Sequence, residues 1–209
     1  MTGCIIDEPT AKLFNAVASG NIAAIDTALA GGAQLDARDE NGNTAVMNAA
    51  YEGKNAVLRH LLEKGADAKA ENEFKSRAIG VAAFRNNIEG MRLLIAHGAD
   101  PNHANAYGET PLIYAAKYGY SEMARELLDK GADPEFSPLI EKEPLAIARL
   151  NSFYTVVDII DAAIVKKRAR EDVEAKLAFQ KAAAQKRKDR QLECQRNLRS
   201  YTRKRCPRR

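Results

Sequence analysis

Along the first three quarters of the chain, apolar residues return at a fixed interval of 33. Leu61-Leu62, Leu94-Ile95 and Leu127-Leu128 each precede a Gly-Ala pair, and those pairs (Gly32-Ala33, Gly65-Ala66, Gly98-Ala99, Gly131-Ala132) keep the same spacing. A second apolar set, Ala49-Ala50, Ala82-Ala83 and Ala115-Ala116, runs ahead of the first in the same register. It follows the tetrads Thr44-Ala45-Val46-Met47, Arg77-Ala78-Ile79-Gly80 and Thr110-Pro111-Leu112-Ile113, and a fourth tetrad, Glu143-Pro144-Leu145-Ala146, opens a further unit. The pattern predicts a short helix carrying the Ala pair, a turn, and a second helix carrying the Leu pair. Units of this length cannot hide their apolar face alone and bury it against the next copy.

Each recurring residue has a local reason. Pro111 and Pro144 suit a first helical turn, where a missing N–H costs nothing. Thr44 and Thr110 precede that turn and can cap it. The Ala pairs let two helices approach closely, and Leu61, Leu62, Leu127 and Leu128 form the apolar stripe of the second helix. Gly65, Gly98 and Gly131 fall just past a helix end, with Gly53 and Gly119 between paired helices, where a left-handed residue is wanted.

With these positions in phase, the sequence resembles the ankyrin repeat, most closely from Tyr107-Gly108-Glu109-Thr110-Pro111-Leu112 through Gly119 to Gly131-Ala132-Asp133-Pro134. The resemblance covers roughly Asp7 to Val165. It implies an all-α ankyrin-repeat solenoid of helix-turn-helix units with β-turn fingers. Its parts are an N-terminal cap at 6–38, repeats at 39–71, 72–104 and 105–137, and a C-terminal cap at 138–165, before a tail at 166–209. The family's tetrad histidine is replaced by Met47, Gly80, Ile113 and Ala146, which puts its hydrogen bonds in doubt. The third unit is least regular: Lys75 and Asn86 stand at glycine positions, Arg77 replaces Thr, and Gly80 lies inside a helix. It is expected to be the softest full repeat, with use of its irregularity by a partner as the alternative.

Charge divides the chain sharply. Residues 1–165 carry 15 Lys and Arg against 23 Asp and Glu, a net −8, and residues 166–209 carry 17 against 5, a net +12. No apolar run reaches the ~18 residues that a spanning helix needs. The start lacks a basic stretch with an apolar core, so no signal peptide is expected, and Thr2-Gly3-Cys4 lacks the apolar segment of a lipoprotein site. Cys4, Cys194 and Cys206 are odd in number and scattered, which suggests a reducing compartment. The cytoplasm is the expected location, with the nucleus as the alternative in a eukaryotic setting.

The tail is rich in Ala, Lys, Arg, Glu and Gln, and the stretch to Arg199 holds no Gly or Pro. It predicts one long basic C-terminal helix, fraying beyond Arg199. Its apolar residues, Val173, Leu177, Phe179, Leu192, Leu198 and Tyr201, sustain no heptad. The clusters at Lys166, Lys167 and Arg168, at Lys186, Arg187 and Lys188, and at Arg203, Lys204 and Arg205 admit several roles. They could form a solvated face, contact nucleic acid or another polyanion, signal nuclear import, meet an anionic membrane, or fold back on the acidic repeats. No aromatic platform accompanies them, so base-specific reading is not supported.

Ankyrin-family proteins bind partners through hairpin tips and the exposed side of each first helix. By register, the tip pairs are Glu40-Asn41, Glu73-Phe74, Ala106-Tyr107 and Leu139-Ile140, and the helix-face pairs are Tyr51-Glu52, Phe84-Arg85, Lys117-Tyr118 and Leu150-Asn151. Tyr51, Phe74, Phe84, Tyr107 and Tyr118, together with Arg85 and Lys117, are the candidate partner-binding residues. Five of the chain's seven Tyr and six Phe thus share one expected surface, and aromatic and Arg side chains dominate binding hot spots. The competing reading is that some rings cover seams between units. Phe74 and Tyr107 are hardest to explain that way. Replacing Tyr107 and Tyr118 together is expected to leave the melting temperature nearly unchanged while abolishing partner capture.

His60, His97 and His103 have no Cys, Ser or second His at catalytic or metal-ligand spacing, and no Gly-rich phosphate loop occurs. The expectations are therefore no enzyme, no cofactor, no metal and a monomer. The function expected is that of a protein-binding adaptor, scaffold or inhibitor. The alternative is a polyanion (RNA or DNA) associating protein whose repeats recruit a client.

Overall fold

The computed structural model describes residues 7–139 and 143–205, with side chains through Glu193. Cys4, Ile140 and Cys206, and the side chains of Cys194, Leu198, Tyr201, Arg203, Lys204 and Arg205, lie outside the described residues. Paired helices α1 (Glu8–Ser19) and α2 (Ile22–Ala30), α3 (Ala45–Tyr51) and α4 (Asn55–Glu63), α5 (Ala78–Phe84) and α6 (Ile88–Ala96), and α7 (Pro111–Tyr118) and α8 (Ser121–Asp129) are followed by α9 (Pro144–Leu150) and α10 (Tyr154–Arg205). The first helices α1, α3, α5, α7 and α9 pack each on the next as one layer, and α4, α6 and α8 stack as another. Among the described residues, β-structure is one bridge between Arg38 and Thr44 in the finger before α3.

The stacking follows from side-chain size. Ala49, Ala50, Ala82, Ala83, Ala115 and Ala116 are fully buried in the first-helix layer, where no larger side chain keeps neighbours apart. Leu61, Leu94 and Leu127 are equally buried, each worth about 1.5–3 kcal/mol. The second residue of the pair varies: Leu62 is buried, whereas Ile95 and Leu128 are half-buried. Met91 and Met123 complete the interior of the second layer.

Helix ends follow the expected chemistry. The Met47 amide donates to Thr44 Oγ1 at 3.4 Å and the Ile113 amide to Thr110 Oγ1 at 3.2 Å. Pro111 and Pro144 occupy first helical positions. Gly119 ends α7 at φ 73°, and a Cβ there would stand 2.6 Å from Phe153 Cδ1, so close approach as well as backbone angle demands glycine.

The third unit departs where the sequence does. Lys75 and Asn86 both sit at φ 53°, in the left-handed region that glycine occupies in neighbouring units. That conformation costs an L-residue roughly 1–2 kcal/mol, less for Asn. Arg77 provides no side-chain cap; its guanidinium instead meets Glu71 Oε1, Nη2 at 2.7 Å.

The chain divides into two units, Met1–Ala163 and Ile164–Arg209. In the first, Val156 and Ile160 are buried while Asp161 turns outward to Arg149 Nη2 at 3.1 Å. In the second, the helix continues to Arg205. No Gly or Pro interrupts the run before Pro207, so nothing local stops it. Lys166, Arg168, Lys186, Arg187 and Lys188 are exposed and Lys167 is half-buried.

Candidate partner-binding surface

The fingers are built by one repeated side-chain device. Asp39 Oδ1 accepts from the amides of Asn41 (2.8 Å) and Asn43 (2.9 Å). Asn72 Oδ1 does the same for Phe74 (3.0 Å) and Ser76 (2.9 Å), and Asn105 Oδ1 for Tyr107 (2.9 Å) and Glu109 (3.0 Å). A short polar side chain thereby satisfies turn amides that would otherwise face water. Neighbouring fingers are tied together: Asn72 Nδ2 donates to Asn43 Oδ1 and the Ala106 amide to the Phe74 carbonyl, each at 2.8 Å. His103 Nε2 donates to the Lys75 carbonyl, also at 2.8 Å. These ties fix the tip rings: Phe74 and Tyr107 stack with centroids 6.2 Å apart, yet are 50% and 54% exposed.

The helix-face residues form two further groups. Arg85 lies over the Tyr51 ring, 4.6 Å from its centroid, and its Nε donates to the Tyr51 carbonyl at 3.2 Å. Phe84 presents edges to Tyr114 and Tyr118, both at 5.7 Å, while Tyr118 stacks on Tyr114 at 6.5 Å and on Tyr120 at 5.6 Å. Lys117 Nζ stands 5.7 Å from the Tyr118 centroid. Phe84 and Tyr118 are less exposed than the tip rings, at 38% and 37%, because they bridge α5 and α7. The Tyr118 ring thus has four aromatic and cationic neighbours, Phe84, Tyr114, Tyr120 and Lys117.

Beneath the rings runs a polar network. Glu109 accepts from Tyr114 Oη at 2.8 Å and from Lys117 Nζ at 3.0 Å, and Asn105 Nδ2 donates to Tyr114 Oη at 3.0 Å. Burial alone would raise the Glu109 pKa, but the hydrogen bonds from Lys117, Tyr114 and Asn105 outweigh it and hold the carboxyl below its ordinary value. Burial, with the adjacent Glu109 carboxylate, pushes the Tyr114 phenol well above its usual range. The same carboxylate raises Lys117. Residue by residue, register found the tips and the ring positions but missed Tyr114, Tyr120 and Glu109. A nine-residue offset would have found the network: Asn105 meets Tyr114 across it, and Asp39 Oδ2 accepts from Asn48 Nδ2 at 2.8 Å across the equivalent one.

A family model describing ankyrin repeats in three copies matches residues 13–103 and 47–137. The chain is an ankyrin-repeat protein. A search of curated proteins finds no match to it. Repeats of this family generally mediate protein–protein interaction, and such proteins are typically non-enzymatic binding scaffolds.

Where ankyrin repeats place their tetrad histidine, Met47 and Ile113 are buried apolar residues here. The cross-finger bonding falls instead to Asn72, His103 and main-chain amides. The other histidines are also engaged. His60 Nε2 is 2.9 Å from Asp26 Oδ1, and Lys64 Nζ is 3.0 Å from the same oxygen. Hydrogen bonds from His60 and then Lys64 lower the Asp26 pKa. His97 stands one residue past α6 and its Nδ1 donates to the Leu93 carbonyl at 2.9 Å. Along the same layer Arg92 forms a two-pronged pair with Glu126, at 3.0 and 2.6 Å. Among the described residues no cluster of three or more His, Cys, Asp or Glu could hold a metal, and no helix is long and apolar enough to cross a membrane.

Proposed function

We propose that this protein is a monomeric, non-enzymatic adaptor, scaffold or inhibitor of the cytoplasm, holding a partner protein along its fingers and first-helix face. The observation that carries the reading is the grouping of half-exposed rings there, with Phe74 and Tyr107 at the tips and Tyr51, Phe84 and Tyr118 on the helices. The net −8 of residues 1–165 favours approach by a basic partner. Placing a photo-crosslinking amino acid at Tyr107, or at Arg125 on the exposed side of α8, tests the surface in native lysate. Discrete protein adducts are expected at Tyr107 and not at Arg125; equal yields at both positions would refute the assignment.

A second reading rests on the exposed cations of α10, which offer phosphate neutralisation without sequence reading. Anisotropy with a mixed-sequence oligonucleotide, titrated with salt, checks it. The triple substitution Lys186→Glu, Arg187→Glu, Lys188→Glu is expected to reduce affinity and flatten the salt slope by about 3. An unchanged slope removes those residues from the interaction.

A further inference from the structure

The aromatic faces of this surface already show what they accept. Arg85 fills the Tyr51 face and Lys117 approaches the Tyr118 face, both supplied by the chain itself. Phe74 differs. Its ring is half exposed and, among the described residues, no cation lies over it. The ring does not collapse, because the Phe74 amide is held by Asn72 Oδ1 and its carbonyl by the Ala106 amide. Beside it on the same turn, Glu73 is exposed and has no ion-pair partner among the described residues, and neither has Glu40 on the preceding finger. Glu73 leans over that finger: a Cβ on Gly42 would meet its Cγ at 3.2 Å.

Resting on the reading of the fingers as a protein-binding surface, we propose that the tip of the third unit takes an arginine side chain from the partner. The guanidinium stacks on the exposed Phe74 ring, and its charge is drawn by the acidic fingers that carry Glu73 and Glu40. A flat, weakly hydrated guanidinium gains from both a ring face and a carboxylate, whereas a compact ammonium gains mainly from the charge. Citrulline keeps the shape and loses the charge.

The full-length protein, labelled for amide NMR, is titrated with Ac-Ala-Arg-Ala-NH2 and with the lysine and citrulline counterparts. The expected result is saturable shifts at the Phe74 and Tyr107 amides with the arginine peptide, weaker with lysine, absent with citrulline. Phe74→Ala is expected to weaken binding about two- to fivefold, the range of an exposed cation–π contact. Glu73→Gln is expected to weaken it by up to about fivefold and to remove most of its salt dependence. Equal shifts with arginine and citrulline, or shifts only outside the fingers, overturn the proposal. The two readings fail separately. Crosslinks from Tyr107 with no arginine-specific shifts leave a protein-binding surface that does not read arginine. Arginine-specific shifts with no crosslinks leave a cation site on a surface that is not the partner's.

Discussion

Gly80→Ala should stabilise the protein, although Gly80 is a half-buried helix glycine. Gly80 lies within α5, whose backbone there is helical, and glycine in such a place costs roughly 0.5–1 kcal/mol relative to alanine through lost backbone entropy. Space decides whether alanine can recover that amount. The nearest heavy atom to an added Cβ would be Tyr114 Cε2 at 4.0 Å, an ordinary van der Waals contact. Nothing must move, so the full propensity gain of about 0.5–1 kcal/mol is available, equivalent to a melting temperature about 1–4 °C higher for a chain of this size. In a stack held by nearest-neighbour burial, the gain should appear first as slower amide exchange in α5 and α6. Gly108→Ala is the opposing control. There φ is 72° and a Cβ would stand 2.7 Å from Leu139 Cδ1, so a loss of about 1–2 kcal/mol is expected. Urea titrations followed by circular dichroism, with hydrogen exchange on the same samples, read both. A Gly80→Ala protein that melts lower than the parent would refute the reasoning, since neither sterics nor propensity supplies a cost.

Thr110→Ala removes a buried cap whose hydroxyl accepts the Ile113 amide, and should lower stability by about 1 kcal/mol in the same titration; a change under a few tenths would deny the cap a role. Glu109→Gln tests the network under the rings through pH. Because the folded carboxyl titrates below its ordinary value, its stabilisation is complete above about 4.5 and is lost as pH falls through the lower folded pKa. The urea midpoint of the parent should therefore fall more steeply than that of the variant between about pH 5 and 3, and parallel curves would rule the contribution out. Tyr118→Ala should lower stability by about 1 kcal/mol or more through its ring contacts, whereas Tyr107→Ala at the open tip should cost less. Equal melting temperatures for the two variants would contradict the division between seam and tip.

Periodicity makes some properties legible and hides others, and the third unit shows where the line falls. Lys75 and Asn86 could be recognised as left-handed residues from sequence because their register partners are glycines, and a backbone angle is a property of position in the repeat. Gly80 could be recognised as a departure, but not as a harmless one. That depends on Tyr114 leaving 4.0 Å of room, which is a property of the adjacent unit. The rings divide in the same way. Register put Phe74, Phe84, Tyr107 and Tyr118 on one expected surface because the repeat fixes where a Cβ points. It could not tell that Phe84 and Tyr118 would spend much of their area on Tyr114 and Tyr120, since Tyr114 stands where the other units carry Asn48, Val81 and Ile147. A side chain that breaks the repeat makes contacts the repeat cannot forecast. The tail is the limiting case: with no period at all, its sequence defines a helix and a charge, and both are compatible with several polyanions. The fingertips carry more information: an exposed phenylalanine is pinned by Asn72 and Ala106, next in sequence to a carboxylate with no ion-pair partner among the described residues, so the proposed site makes a demand on shape as well as on charge.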